Sequence, residues 1–294
     1  MPYPLETFLE LSISPLTNRC CSKRFPICEA PFRAVKTAFY PSSLTDAQWA
    51  LIEPMLPKRS NRGRPPTDRR LIIDAILYIV TGGIQWRMLP AEFPPYQTVF
   101  GVFRKWTLDN TWEGLNARLR AHVRESHGKR SRPTAAILDS QSVKSDPHGG
   151  SVGYDAGKRI KGRKRHLLVD TLGLLLGVEV TKASVAEREG AQILLDRVLG
   201  WFDWLRLMWV DGGYTGDVFA NWVRGRRPKL KVEVVKRSDD TAGFKVLPRR
   251  WVVERTFGWL MRNRRLVRDY EMTESSAHAW VYIAMIRIQV RRLA

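Results

Sequence analysis

KRHLLVDTLGLLLGVEVTKA, residues 164–183, is the stretch whose reading decides the fold. Two apolar runs rich in Leu and Val flank Thr171 to Gly173, and this spacing predicts two strands joined by a tight turn. Working outward, TAAIL from Thr134 to Leu138 predicts a strand that ends at Asp139. Downstream, Glu187 to Leu199 reads as a helix, LRLMWVD from Leu205 to Asp211 as a buried strand, and GDVFANWVRG as a helix. KVEVVKR from Lys231 to Arg237 reads as a strand, Pro248 to about Arg265 as a long helix, and Ser275 to Leu293 as a closing amphipathic helix. Strand, hairpin, helix, strand, helix, strand, helix is an α/β order with a mixed sheet.

The sequence before Ser131 follows other rules. Thr45 and Asp46 are N-cap candidates ahead of AQWALIEPML, and RRLIIDAILYIVTGG gives a strongly apolar helix stopped by Gly82 and Gly83. Two more helices begin near Tyr96 and Thr111. Short turns and basic loops make this block compatible with a helix-turn-helix DNA reader, or with a helical support packed on the second domain. Residues 1–40 hold scattered apolar residues and several prolines, with neither a sustained period nor the basic start and compact apolar run of a signal peptide. The expected organisation is a poorly ordered extension over 1–40, a small all-helical domain over 41–130 and an α/β domain over 131–294.

Composition points to the partner. The 294 residues carry a formal net charge of +20 with a pI near 10.4, which implies a polyanion. No run approaches the length of uninterrupted apolar sequence that spans a bilayer, and the basic residues are spread through a folded-looking chain, so nucleic acid is expected and a membrane is not. Cys20, Cys21 and Cys28 have no His nearby and read as ordinary thiols of a reducing cytoplasm.

RRWVVERTFGWLMRNRRL, from Arg249 to Leu266, embeds one acid, Glu254, among Arg249, Arg250, Arg255, Arg262, Arg264 and Arg265. Asp139 and Asp211 stand where strands are expected to end, and ligands of open α/β sheets gather outside the carboxyl ends of strands. Hard carboxylate oxygens suit divalent magnesium, which takes one or two of them plus phosphate oxygens. Each acid alone has a plainer reading: a turn or cap for the aspartates, an ion-paired helix residue for Glu254. Gly212 and Gly213 after Asp211 leave room for a phosphate backbone, and Ser140, Gln141 and Ser142 add polar contacts without charge. GKRIKGRKRHLLVD, residues 157–170, reads as a phosphate-binding track with Arg163, Lys164 and Arg165 as DNA contacts, or as a solvated basic loop. His166 reads as a packed or phosphate-facing side chain, Asp170 and Glu179 as surface or turn acids, and Trp209 as core.

The chain resembles the DDE transposases of bacterial insertion sequences, most closely those of insertion sequence family five. SLTDAQWALIEPMLP, GRPPTDRR and LYIVTGGIQWRMLP carry the resemblance in the first block, and LDSQSVK, GRKRHLLVDTLG, VDGGYTG and RWVVERTFGWL in the second. The resemblance implies a ribonuclease-H-like catalytic domain in which Asp139, Asp211 and Glu254 bind Mg²⁺ or Mn²⁺. It further implies double-stranded DNA partners (element ends and target), a homodimer on that DNA, cytoplasmic localisation at the nucleoid, and cleavage followed by strand transfer. Arg250, Arg255, Arg262, Arg264 and Arg265 become DNA-contact candidates. In the wider signature a Tyr and a Lys flank the Arg and Glu; Leu247 and Met261 stand there instead. A nuclease of the same fold and a catalytically silent DNA-binding protein are the alternatives.

Overall fold

The computed structural model describes residues 40–58, 67–147, 149–235 and 251–294. The extension expected over 1–40 lies outside them except for Tyr40, whose ring sits 4.6 Å from Tyr78 and 5.3 Å from Phe93. The first block begins with α1 (Asp46–Ile52), whose N-cap Thr45 forms a capping box with Gln48. α2 (Arg69–Gly82) follows and ends on Gly83, which takes a left-handed φ of 71° and donates its N–H to Ile79. α3 (Tyr96–Leu108) and α4 (Thr111–Ser126) complete the block where the apolar periodicity places them.

The second block holds β1 (Ala135–Lys144), β2 (Gly153–Asp155), β3 (Ile160–Asp170), β4 (Leu175–Lys182), α5 (Glu187–Val198), β5 (Leu207–Val210), α6 (Asp217–Arg226) and β6 (Lys231–Val234). The chain then runs through α7 (Trp251–Met261), α8 (Arg264–Val267) and α9 (Glu274–Leu293). One long helix was expected through Arg265; instead Asn263 caps the end of α7, donating its Nδ2 to Leu260, and α8 restarts after it. The sheet is mixed: β3 runs antiparallel to β1 and β4, while β5 and β6 run parallel to β1 and to each other.

Alternation along each strand divides the core between the two faces. Ile137, Leu167, Val169, Val178 and Trp209 face a layer made by α7, α9 and the first-block helices. Ala136, Leu138, Leu168, Met208 and Val210 face α5 and α6. The helices of 41–130 therefore share their apolar core with α9 and the sheet, and among the described residues have none set apart from it. α4 is seated by Asn116 and Arg120, both of which donate to the Leu175 carbonyl.

Two expectations change here. β1 was expected to stop at Asp139 but continues to Lys144, because its second half keeps β3 as a partner. The strand that stops at this level is β5, so Asp139 is the second β1 residue past the last pair with β5, Ile137 with Trp209. The basic run also changes meaning. β3 begins at Ile160, and Arg163, Lys164 and Arg165 pair with β1 on one side and β4 on the other. They are 1, 5 and 2 % exposed, so the expected DNA contacts are interior residues.

Buried cations need partners. Arg163 lies 3.5 Å from Asp269 and donates to the carbonyls of Ser151 and Met272. Lys164 lies 3.3 Å from Asp155 and donates to the Val185 carbonyl; Arg165 donates to the Leu266 carbonyl. Burial pushes the Arg165 guanidinium down to about 10. For Asp155, burial works upward, yet the Ser142 hydroxyl, the Lys158 N–H and the Lys164 ammonium bring it down to about 2. His166 is the packed histidine that was one of its two readings: it is fully buried, burial lowers it to about 4, and a side chain at Gly190 would collide with its ring. Asp170 is the turn acid among its expected readings, accepting the N–H groups of Leu172 and Leu174, but it and Glu179 are buried rather than on the surface, paired with Arg124 and Arg197 respectively.

Candidate active site

The parallel pairing of β1 with β5 matches Ala135 to Leu207, Ala136 to Met208 and Ile137 to Trp209, an offset of 72 residues. Asp139 and Asp211 are separated by the same 72 residues (211 minus 139), so continuing that register places them level on neighbouring strands. Neighbouring strands lie about 4.8 Å apart. Alternation adds the direction: two residues past Ile137 and Trp209, both aspartates belong to the face that those residues share, which is the face α7 covers. α7 buries Val252, Val253, Phe257 and Leu260 in that core and carries Glu254 on its exposed side.

Local structure holds the aspartates. Asp139 Oδ1 accepts the Ser140 N–H at 2.7 Å. Asp211 caps a short 3-10 turn, Gly212–Tyr214, by accepting the Gly213 N–H at 2.9 Å. A side chain at Gly212 would meet only open space, so packing does not demand that glycine; an approaching phosphate backbone would. A Cβ at Gly213 would lie 3.0 Å from Glu187 Oε2 and 3.1 Å from Asp211 Oδ1, which places those two carboxylates around one point.

Glu187, which the sequence alone does not single out, lies beside Asp211. It opens α5 and is held by the Lys158 ammonium at 2.8 Å and the Ser140 hydroxyl at 3.0 Å. Burial works to raise its carboxyl, but the Lys158 contact and the Ser140 hydrogen bond hold it below the usual glutamate range. Beside it the Tyr214 hydroxyl is buried with no hydrogen-bond partner among the described residues. Burial, and then the charges of Glu187, Asp139 and Asp211, push that phenol far above its ordinary value. The buried phenol and the carboxylates of Glu187, Asp139 and Asp211 lie close enough together to influence one another. Glu187 and Glu189 stand in the first turn of α5, where acids suit the helix dipole, and that is their plain reading from sequence.

Among the described residues no three acidic side chains converge into a ready-made metal cage. The donor set present, two level aspartates with glutamates at α5 and α7, fits a cation that takes one or two carboxylates and fills its shell with water and phosphate.

The arginines of the C-terminal helices divide into two classes. Arg262 and Arg264 are exposed. Arg255 lies between Trp251 and Trp259, its guanidinium carbon 4.3 and 4.5 Å from the ring centroids, and donates to the Leu172 carbonyl. Arg292 covers Trp259 at 4.4 Å, so that ring is committed to two cations. Arg265 is buried: it pairs with Glu271, donates to the Ile84 carbonyl and leaves the list of expected DNA contacts. Arg250 lies outside the described residues. No helix among the described residues is long and apolar enough to cross a membrane.

Comparison with known proteins bears on the same regions. Residues 130–288, which contain all three candidate acids, match the family model described as the transposase DDE domain. Residues 44–116 match a second model, for transposases of the IS4/5 family. An insertion element IS402 uncharacterized 16.2 kDa protein of Burkholderia cepacia is 31 % identical over 117 residues, 37 % of this chain and 78 % of that protein. The uncharacterized protein y4sN of Sinorhizobium fredii (strain NBRC 101917 / NGR234) is 35 % identical over 65 residues, 21 % of this chain and 51 % of that protein.

Proposed function

Because the chain belongs to the family of transposases with a DDE domain, of ribonuclease-H-like fold, we propose that it binds the terminal inverted repeats of its own insertion sequence, cuts there and joins the freed end to target DNA. The observation that carries this reading is the shared 72-residue offset, which sets Asp139 level with Asp211 on the face covered by the Glu254 helix. Asp139, Asp211 and Glu254 are the residues proposed to hold Mg²⁺ or Mn²⁺. When bound, such an ion activates water and stabilises charge on the attacking and leaving oxygens of an in-line displacement at phosphorus. The chain's own residues do the rest. Gly212 leaves room for the scissile phosphate, Lys158 supplies a cation next to Ser140 and Glu187, and exposed Arg262 and Arg264 hold flanking phosphates. Water and a 3′ hydroxyl attack in the same way, so one site serves cleavage and joining without a protein nucleophile. Two element ends handled together require two active sites, hence the proposed homodimer on DNA.

The test is incubation with a labelled end fragment and a supercoiled target plasmid in Mg²⁺. Cleavage at the end and joined products are expected, with cleavage but not binding lost when the ion is chelated. Cleavage without joining would indicate a nuclease of this fold, and binding without cleavage a silent DNA-binding protein.

Arginine position gives a second expected result. Replacing Arg262 and Arg264 by Ala should each reduce the slope of log K against log salt by about 0.9, one phosphate per cation. Arg163→Ala should leave the slope unchanged, because its guanidinium is buried against Asp269. It should instead destabilise the fold by about 3–5 kcal/mol, since Asp269 would remain buried without its cation. A flattened slope with unchanged melting in Arg163→Ala would return that residue to the DNA surface.

A further inference from the structure

Beyond Asp139, β1 runs five residues to Lys144, which lies roughly 17 Å from the acid at about 3.3 Å per residue. There a cleft of about 440 Å³ opens between the end of β1, the β2–β3 hairpin and the segment after α8. Its lining includes Lys144, Asp146, Tyr154, Arg159, Lys161 and Arg268, four cations to one carboxylate. Tyr154 is 56 % exposed, although it sits on a strand and has the apolar surface of a core residue. It lies directly opposite Lys161 in the β2–β3 ladder, so ring and ammonium share one face. Arg159 turns the hairpin with a left-handed φ of 53°, and Arg268 is anchored to the Ser145 carbonyl. An open aromatic ring bordered by fixed cations is the arrangement that receives an unstacked base together with its phosphates.

We infer that this cleft binds a single-stranded stretch of DNA, with one base stacked on Tyr154 and its phosphates held by Lys144, Arg159 and Lys161. The inference rests on the DNA reading given above and deepens it. A duplex keeps its base faces covered, so the cleft selects strand that has been melted. At the duplex rise of about 3.4 Å per step the distance to Asp139 is at most about five nucleotides, and fewer in an extended single strand, which puts the site within reach of the strand at the cut.

The test is fluorescence anisotropy of the full chain with a labelled oligothymidylate and with a duplex of equal length, across a salt series. Tyr154→Ala should weaken single-strand binding by about ten-fold or more while duplex binding changes by less than about two-fold. Tyr154→Phe should bind as the wild type does, because stacking uses the ring and not the hydroxyl. Lys144→Ala and Lys161→Ala should each lower the single-strand salt slope by about 0.7. These side chains are exposed, so melting temperatures should not move. Single-strand affinity unchanged in Tyr154→Ala, or lost equally in Tyr154→Phe, overturns the stacking site while leaving the DNA function intact. A wild-type chain that binds neither oligonucleotide overturns both.

Discussion

Asp139→Asn, Asp211→Asn and Glu254→Gln are each expected to lower the rate of end cleavage by roughly a thousand-fold or more. Charge stabilisation by a bound cation is worth several kcal/mol, and each 1.36 kcal/mol is ten-fold in rate. The substitutions should spare the fold. Asn keeps the Oδ1 that accepts the Ser140 N–H at one site and the Gly213 N–H at the other, and Glu254 is exposed. DNA binding should persist, since removing a negative charge from a cationic surface does not weaken its hold on phosphate. Cleavage of a labelled end fragment, anisotropy at matched salt and thermal melting separate the three effects. Any variant that cuts within about ten-fold of the wild-type rate is not a required carboxylate. Glu187→Gln belongs in the same series. Glu187 shares one point with Asp211 around Gly213 and acts on Tyr214 together with both aspartates. If Glu254→Gln cuts normally and Glu187→Gln does not, the third carboxylate is the one on α5.

Much of this architecture is legible in the sequence where local chemistry and tertiary packing agree. The Thr171 to Gly173 turn, the Thr45 cap and the Gly83 stop are local signals, and the structure places elements accordingly. The two aspartates stand out as candidates by residue type and context, whereas their alignment depends on a parallel register that no local signal encodes. What misled the reading was charge. Arg163, Lys164 and Arg165 look like solvated or phosphate-facing cations, and their burial depends on Asp155 and on Asp269, which is 106 residues from Arg163 (269 minus 163). A carboxylate that far along the chain cannot be assigned to its cation by spacing. The same applies to Arg265 with Ile84 and to Asp170 with Arg124.

Asp170→Ala should be among the most destabilising single changes in the chain. The side chain is fully buried at the end of β3, where its Oδ1 accepts the N–H groups of Leu172 and Leu174 at 2.8 and 2.9 Å. Its Oδ2 takes the Arg124 guanidinium, which is itself buried and also donates to the Arg130 carbonyl. Truncation leaves two turn donors and one buried cation without their acceptor, a loss of about 3–5 kcal/mol. At about 2–4 °C per kcal/mol, melting should fall by roughly 6–20 °C. Asp170→Asn keeps one acceptor oxygen but no charge, so it should lie between the wild type and Ala. Denaturant unfolding of Asp170→Ala, Arg124→Met and the double variant measures the coupling; additive losses would show that the pair does not act as a unit. The consequence reaches the active site. The turn that Asp170 shapes accepts the Thr256 hydroxyl at Gly173 and the Arg255 guanidinium at Leu172, both from the helix that carries Glu254. Asp170→Asn that remains folded at the assay temperature should therefore cut more slowly while binding DNA normally, because the helix that bears Glu254 loses its fixed seat on that turn.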